Sequence, residues 1–213
     1  MTYSEEWGDI YARGEQMVRW PWSDLVSLVK RYCGDIKDWQ VLELGCGIAG
    51  ANSKFFIEEG AYYIGQDAAF GSSEQSAVGF PWCAVDFTNH LPGEGEDYDL
   101  ICDRAAVTHN DTESIKRCLG LVYDALKPGG WYIGVDWFST EHSDAGRGEQ
   151  VDELTWRDIP DGQFKGCGVV HFSHFKHLTE LFNAFVILRM EHKTIVSTEG
   201  DRFASLNIVA RKL

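Results

Sequence analysis

Residues 41–50, VLELGCGIAG, carry the strongest structural signal in the chain, because a short apolar run leads directly into glycines spaced G-x-G-x-x-G. This spacing is typical of a strand that turns tightly into a helix beside a nucleotide, whose pyrophosphate sits on the helix N-terminus. Glu43 stands two residues before the first glycine and is a poor neighbour for a pyrophosphate, because like charges repel in a cleft of low dielectric constant. A ligand that carries a cationic group suits this carboxylate better, whereas a solvated residue at a strand end is the plainer alternative.

Composition narrows the class of partner. The 213 residues fit one domain, and the formal net charge of −14 comes from 33 acidic against 19 basic residues without any Lys/Arg cluster. Such a field repels phosphate backbones, so we expect no nucleic acid and no anionic membrane as partner. A small molecule, neutral or cationic, fits better, and the sequence leaves a homo-oligomer open.

Cysteine usage and hydropathy indicate the compartment. None of the six cysteines forms a C-x-x-C pair, and Cys and His never cluster at ligand spacing. We therefore expect reduced, structural cysteines, no metal and a cytoplasmic location. There is no run of about 18 apolar residues for a membrane helix, and the acidic N-terminus predicts no secretory signal.

Strands and helices alternate along the chain, which predicts a mostly parallel sheet covered on both faces. Apolar runs predict five strands, at residues 41–44, 61–67, 81–86, 98–103 and 131–138. Residues 51–60 and 112–130 have helical character, with Thr112 as N-cap and Pro128-Gly129-Gly130 as a break. A helix at 173–185 and a hairpin of two strands close the chain, which makes seven strands in all.

Two more carboxylates follow predicted strands. Asp67 ends the second strand and can accept both hydroxyls of a ribose, although an Asp at this position is also a common N-cap. Asp86 ends the third strand and can accept a hydrogen bond from an exocyclic amine, with Phe87 covering the ring. An Asp that simply starts a turn is an almost equally good interpretation of Asp86.

Five motifs in this order resemble those of class I S-adenosylmethionine-dependent methyltransferases. They are ELGCGIAG at 43–50, GQD at 65–67, AVDF at 84–87, YDLICDR at 98–104 and LKPGGWYI at 126–133. The resemblance implies a Rossmann-like α/β fold with seven strands in the order 3-2-1-4-5-7-6, strand 7 antiparallel. It also implies S-adenosylmethionine as cofactor and S-adenosylhomocysteine as product. The residues that it places at the cofactor are Glu43, Gly45, Cys46, Gly47, Asp67, Ala68, Asp86, Phe87, Asp103, Arg104 and Ala105.

The methyl acceptor is expected at the carboxyl ends of the strands, within reach of three segments. The aromatic N-terminal stretch supplies Tyr11 and Trp20 as binding residues, although such aromatics also anchor helices. His109, after the fourth strand, is a candidate base, and a structural histidine is as good an interpretation. The third segment offers Asp136 for catalysis with Trp137 and His142 for binding, unless it is a loop without ligand contacts.

These predictions combine into one domain with four parts. Residues 1–38 form a helical lid, 39–137 the cofactor-binding core, 138–170 an irregular substrate loop and 171–213 a helix with the closing hairpin. The predicted reaction is in-line methyl transfer to a nitrogen or oxygen of a small molecule, with nitrogen favoured by the acidic, aromatic-rich sequence. Two alternatives stay open, a nicotinamide-dependent oxidoreductase and a catalytically silent regulatory protein that binds S-adenosylmethionine.

Overall fold

The computed structural model describes residues 6–69, 79–93, 95 and 97–213. Its main feature is a seven-stranded sheet with helices on both faces. The strands of this sheet are β1 (Gln40–Leu44), β2 (Tyr62–Gln66), β3 (Trp82–Cys83), β4 (Tyr98–Arg104), β5 (Leu126–Phe138), β9 (Val186–Val196) and β10 (Arg202–Arg211). A smaller sheet contains β6 (Glu149–Asp152), β7 (Thr155–Arg157) and β8 (Val170–His171). The helices are α1 (Glu6–Ala12), α2 (Ser23–Tyr32), α3 (Ser53–Glu58), α4 (Thr112–Ala125) and α5 (Phe175–Leu181), with a 3₁₀ turn at Val107–His109.

The strand order of the large sheet is β3-β2-β1-β4-β5-β10-β9, in which β10 runs antiparallel to both of its neighbours. This arrangement confirms the fold class and the order 3-2-1-4-5-7-6, since β9 and β10 take the places of strands 6 and 7. The central strands are buried on both faces, as parallel strands under two layers of helices must be. One face packs against α4 and α5, and the other packs against α2 and α3.

Local corrections concern where elements begin and end. Asp111, not Thr112, is the N-cap of α4, because its carboxylate accepts the Ser114 N–H at 2.7 Å. The helix ends at Ala125, and Pro128-Gly129-Gly130 lie inside β5 rather than between two elements. The φ of +78° at Gly129 and a register shift against β4 accommodate this irregular start of the strand.

The sequence predicts residues 138–170 as an irregular loop, and the structure corrects this, because β6 and β7 lie within it, pair with each other, and β7 also pairs with β8. These strands have two to four residues each, which is too short for an alternating pattern to appear in the sequence. The small sheet is held by an apolar cluster that includes Phe138, Phe164 and Phe172. Within the part of the chain that the structure describes, no helix has the length and apolar character needed to cross a membrane.

Candidate functional site

A cavity of about 170 Å³ opens at the carboxyl ends of β1, β2 and β4, underneath α1. In open α/β sheets this edge is where ligands bind, because the loops that follow the strands meet there. The cavity has two halves with different chemistry. One half is lined by the loops after the three strands and is called the cofactor half below, because the resemblance predicts the cofactor there. The other, the aromatic half, is lined by Trp7, His109, Phe138, Gln163, Phe164 and Cys167.

The glycine loop after β1 needs glycine for two separate reasons. Gly45, Gly47 and Gly50 have φ values of +62°, +65° and +52°, a region that other L-residues rarely adopt. A Cβ on Gly45 would also lie 2.2 Å from the Cβ of Ala106, whereas one on Gly47 would first meet the Tyr11 hydroxyl at 3.4 Å. The loop thus packs tightly on the turn after β4 and leaves its Gly47 side facing the cavity.

Glu43 lies beneath this loop and lines the cavity as a buried carboxylate. It accepts hydrogen bonds from the Tyr63 hydroxyl at 2.6 Å and from the Asn52 side-chain amide at 2.7 Å. Burial raises the pKa of Glu43 to about 7, and these two hydrogen bonds offset only part of that effect. No Lys or Arg among the described residues pairs with it, so a cationic group of a ligand would complete its environment.

Asp67 follows β2 and is held from three sides. Its carboxylate accepts the backbone N–H groups of Gly47 at 3.0 Å and Ala69 at 2.9 Å, and the Tyr11 hydroxyl at 3.4 Å. Burial raises its pKa, while these hydrogen bonds lower it. Tyr11 is carried by α1, so the contact joins the helix above the cavity to the cofactor half.

Arg104 is the one cationic side chain that lines the cavity within the described ranges. Its guanidinium lies 3.6 Å above the ring of Trp22, and its Nε donates to Asp136 at 3.0 Å. Asp136 is held in turn by the hydroxyl of Ser205 at 3.1 Å and the ammonium of Lys193 at 3.4 Å. The two Nη atoms of Arg104 have no hydrogen-bond partner among the described residues, so this positioned cation offers two NH2 groups to an anionic group.

His109 belongs to the aromatic half, and one contact fixes the orientation of its ring. Its Nδ1 is 3.1 Å from the carbonyl oxygen of Val169, and because a carbonyl oxygen only accepts, Nδ1 carries the proton. Burial lowers the pKa of His109 to about 4, so the ring is neutral near pH 7. The lone pair of Nε2 has no partner in the described part of the chain, and it can accept a hydrogen bond from a ligand.

The aromatic half surrounds this imidazole with ring edges. The ring centroids of Trp7 and Phe138 lie 4.8 Å and 5.4 Å from that of His109, both in T-shaped geometry. Phe164 packs on Phe138 at 4.4 Å. None of the side chains described in this half is charged near neutral pH, since burial also raises the pKa of the Cys167 thiol to about 11.

Most of the residues predicted from the sequence meet at this cavity. The structure places there Tyr11, Glu43, Gly45, Cys46, Gly47, Asp67, Ala68, Phe87, Arg104, Ala105 and His109. Six predicted residues lie outside the cavity lining: Trp20, Asp86, Asp103, Asp136, Trp137 and His142.

For three of these six, the predicted role at the cavity is wrong because the side chain is buried in the core or bound to another residue. Trp137 is fully buried in the core, where its indole N–H donates to Asp103 at 2.9 Å, so it has no face for an acceptor. Asp103 is also fully buried, and it accepts four hydrogen bonds below the cavity floor. Asp136 is a partner of Arg104 rather than a group that faces the cavity.

The other three are corrected by local contacts. Trp20 is 60% exposed on the outer surface, where Arg19 and Lys54 lie over its ring. Asp86 starts a turn, because its carboxylate accepts the N–H and hydroxyl of Thr88, which supports the plainer interpretation of this residue. His142 lies behind the wall of the cavity.

Sequence reasoning missed several residues that the cavity brings together. Asn52 and Tyr63 hold Glu43, while Phe138, Gln163 and Phe164 line the aromatic half. Asn52 has one available signal, its position nine residues after Glu43 at the start of α3. The sequence around Gln163 and Phe164 carries no motif, so only the folded chain reveals them.

Comparisons with known proteins show the fold. Similar solved structures include an S-adenosylmethionine-dependent methyltransferase from Methanosarcina mazei, with a TM-score of 0.69 and 19% identity over 87% of this chain and 97% of that chain. A second is 1,6-didemethyltoxoflavin-N1-methyltransferase from Burkholderia thailandensis, bound to 1,6-didemethyltoxoflavin and S-adenosylhomocysteine, with a TM-score of 0.65 and 17% identity over 89% of this chain and 77% of that chain. A third is the [4+2]-cyclase SpnF, with a TM-score of 0.63 and 13% identity over 96% of this chain and 91% of that chain. No protein-family model and no curated protein matches the chain.

The chain therefore has the Rossmann-like fold of class I S-adenosylmethionine-dependent methyltransferases. A cyclase shares this fold, so the reaction has to be argued from the site itself.

Proposed function

We propose that this protein is an S-adenosylmethionine-dependent methyltransferase that acts on a nitrogen or oxygen of a small molecule. The observation that carries the proposal is one cavity in which Glu43, Asp67 and Arg104 surround a glycine loop. Two carboxylates and one cation at strand ends suit a ligand that is itself mixed in charge. A pyrophosphate on the glycine loop would meet the buried carboxylate of Glu43, which disfavours the nicotinamide-dependent alternative.

Each polar part of S-adenosylmethionine has a fitting group in the cofactor half. Glu43 suits its ammonium, because that buried carboxylate has no cationic partner among the described residues. Asp67 suits the ribose hydroxyls, since a carboxylate fixed by two backbone N–H groups presents oriented acceptors. Arg104 suits the carboxylate of the methionine part through its two unbonded Nη groups. Phe87 and Ala68 supply apolar surface for the adenine.

S-adenosylmethionine, held by these residues, would supply a methyl group on a positively charged sulfur; the methyl group would go to a lone pair of the acceptor, and the sulfur would keep the electron pair of the broken bond. The residues of this chain then have three tasks, which are to align the two ligands, to exclude water and to orient the acceptor. The rings of Trp7 and Phe138 exclude water, and His109 orients the acceptor through Nε2. With a pKa of about 4, His109 is a weak base, so the proton of the acceptor passes mainly to solvent.

A calorimetric titration tests the proposal. S-adenosylhomocysteine is titrated into the wild-type protein and into Glu43→Gln and Asp67→Asn, with NAD as the control ligand. We expect tight binding of S-adenosylhomocysteine that is weakened at least about tenfold in each variant, since a lost charge-assisted hydrogen bond is worth roughly 1.5–3 kcal/mol. Asp161→Asn serves as the matched control, because Asp161 is an exposed partner of Arg147 outside the cavity. Binding of NAD alone would reject the proposal in favour of the oxidoreductase.

A further inference from the structure

We propose that the aromatic half of the cavity binds an uncharged ring compound whose N–H or O–H donates to Nε2 of His109 and whose carbonyl or ring acceptor receives the side-chain N–H of Gln163. The inference rests on the proposed function only in naming this compound as the methyl acceptor. The binding preference itself follows from the contacts of the aromatic half.

Aromatic rings make up much of the wall around the imidazole. Trp7, Phe138 and Phe164 all contact His109, with ring centroids between 4.8 and 6.5 Å from it. Aromatic pairs gain most from offset-stacked or T-shaped contacts, so a planar ligand ring extends the same packing. An aliphatic chain would fill the space without that geometry.

No side chain that the structure describes in the lining of this half is charged near neutral pH, although Glu6 and Glu15 act on Cys167 from outside the lining. Among the residues that the structure describes, the charged side chains that line the cavity are Glu43, Asp67 and Arg104, and all three belong to the cofactor half. A charged acceptor in the aromatic half would lose its hydration without gaining a counter-ion from the described residues there. Of the two kinds of small molecule that the acidic sequence favours, neutral or cationic, the lining of this half therefore favours the neutral one.

The side-chain amide of Gln163 is oriented by a chain of contacts that starts behind the wall. The Nδ1 of His142 accepts the backbone N–H of Asp144 at 3.0 Å, so the proton of that neutral ring is on Nε2. His142 Nε2 lies 3.1 Å from Oε1 of Gln163 and therefore donates to it. The Nε2 of Gln163 is then a donor with no protein partner among the described residues, on an exposed side chain at the rim of the cavity.

His109 and Gln163 together make a pair of opposite polarity on an apolar wall. One imidazole accepts and one amide donates, and each is fixed by a contact outside the cavity. A ring that carries a donor and an acceptor satisfies both, as a lactam, a hydroxylated heteroaromatic or an enolised dicarbonyl does. A ring without a donor leaves Nε2 of His109 desolvated and unpaired, which costs binding energy.

Binding of four probes tests the inference without any turnover. The probes are 2-quinolone, its N-methyl derivative, 2-naphthoate and 2-naphthylmethylammonium, each titrated with and without saturating S-adenosylhomocysteine. We expect 2-quinolone to bind about tenfold more tightly than its N-methyl derivative, because a single hydrogen bond together with an avoided unpaired acceptor is worth roughly 1–2 kcal/mol. Both charged probes should bind at least about tenfold more weakly than 2-quinolone, since neither finds a counter-ion.

Two variants assign these preferences to their residues. In His109→Leu the ratio between 2-quinolone and its N-methyl derivative should fall to about two or less, whereas His90→Leu, at an exposed histidine outside the cavity lining, should keep it. Gln163→Leu should weaken both quinolones alike and leave their ratio intact. Circular dichroism and the affinity for S-adenosylhomocysteine check that each variant is folded.

The results separate the two proposals. Equal or tighter binding of either charged probe, an unchanged ratio in His109→Leu, or no binding of 2-quinolone to a wild-type protein that binds S-adenosylhomocysteine would each overturn the inference. Failure of S-adenosylhomocysteine to bind, with 2-quinolone still bound through His109, would overturn the proposed function and leave the preference of the aromatic half in place.

Discussion

The two halves of the cavity are built by different physical means. The cofactor half comes from three loops that follow adjacent strands, and hydrogen bonds of the backbone hold it, as where Gly45 N–H donates to the carbonyl of Gln66 at 2.6 Å. The aromatic half comes from segments far apart in sequence, which are α1, the turn after β4, the end of β5 and the loop that holds Phe164. Side-chain packing, with few backbone hydrogen bonds between these segments, holds it together.

This difference predicts which half tolerates substitutions. Residues of the cofactor half are fixed by sheet register and by burial. A substitution there therefore disturbs the packing of the sheet as well as the binding of the ligand. Rings of the aromatic half belong to a separate apolar cluster at the edge of the fold. Substitutions that change side-chain size should therefore cost less stability there. We expect ligand preference to change more readily in the aromatic half than in the cofactor half.

Asp103 joins the two halves, and its removal should have the largest effect. Its carboxylate accepts the Tyr132 hydroxyl, the Trp137 indole and two backbone N–H groups before His109. Asp103→Ala leaves these donors unpaired in the core, so the free energy of unfolding should fall by about 4 kcal/mol or more. Urea denaturation measures this loss, and a decrease below about 1 kcal/mol would contradict the role of Asp103 as the shared support.

The next largest effect should separate two glycines of one loop. Gly45→Ala places a Cβ 2.2 Å from that of Ala106 at a φ of +62°, and should cost about 3 kcal/mol of stability. Gly47→Ala has a similar φ but faces the cavity, so strain alone should cost about 1 kcal/mol. Thermal unfolding of the matched pair checks the order, and equal losses would show that close packing of the loop is not what fixes the cofactor half.

Glu43→Gln should affect the ligand and the stability in opposite directions. The folded protein keeps a proton on Glu43 up to a pKa of about 7, whereas the ordinary value is 4.5. Between these values the native state holds more protons than the unfolded state, so the contribution of Glu43 to stability falls as the pH rises. The variant lacks this group and should be at least as stable as wild type at pH 8, although it binds S-adenosylhomocysteine about tenfold or more weakly.

Titrations at several pH values test whether the ionisation of Glu43 controls the affinity for S-adenosylhomocysteine. The ammonium of S-adenosylhomocysteine favours the ionised form of Glu43, so wild-type affinity should rise as the pH rises to about 7 and then level off. In Glu43→Gln this rise should disappear. 5′-Methylthioadenosine, which lacks the methionine ammonium and carboxylate, should show no such pH dependence in either protein. A slope that persists in the variant would place the titrating group elsewhere.

The cofactor half was predictable because its signals are local. Glu43, Gly45 and Asp67 stand directly after apolar runs, and parallel strands bring their carboxyl ends to one edge. The raised pKa of Glu43 was not predictable, because it depends on Asn52 and Tyr63 and on complete burial. Strand order also needed more than local pattern, and it came from the resemblance of five motifs to a known fold.

The aromatic half was missed at a point that the structure explains. At the end of β5 the sequence indicates Asp136 and Trp137 as groups that face a ligand, yet of these three neighbours Phe138 is the one that lines the cavity. Asp136 has a φ of +57°, and β5 carries one extra residue opposite Leu206–Ile208 of β10, so the regular alternation of side chains fails there. No feature of a single sequence predicts such a bulge, and one residue of slip exchanges a buried side chain for one that lines the cavity.

Arg104→Met should have the smallest effect on ligand affinity. It tests whether the cofactor half binds the methionine part independently of the nucleoside. The Nε of Arg104 is bound to Asp136 and its face lies on Trp22, so only the Nη groups are free for a ligand carboxylate. The guanidinium is partly exposed to solvent, which limits a single contact of this kind to about 1 kcal/mol, or roughly a fivefold loss of S-adenosylhomocysteine affinity. 5′-Methylthioadenosine should bind both proteins equally, because it has no carboxylate for Arg104 to hold. Parallel losses for both ligands would mean that the Trp22–Arg104–Asp136 contact supports the cavity floor instead of receiving the carboxylate.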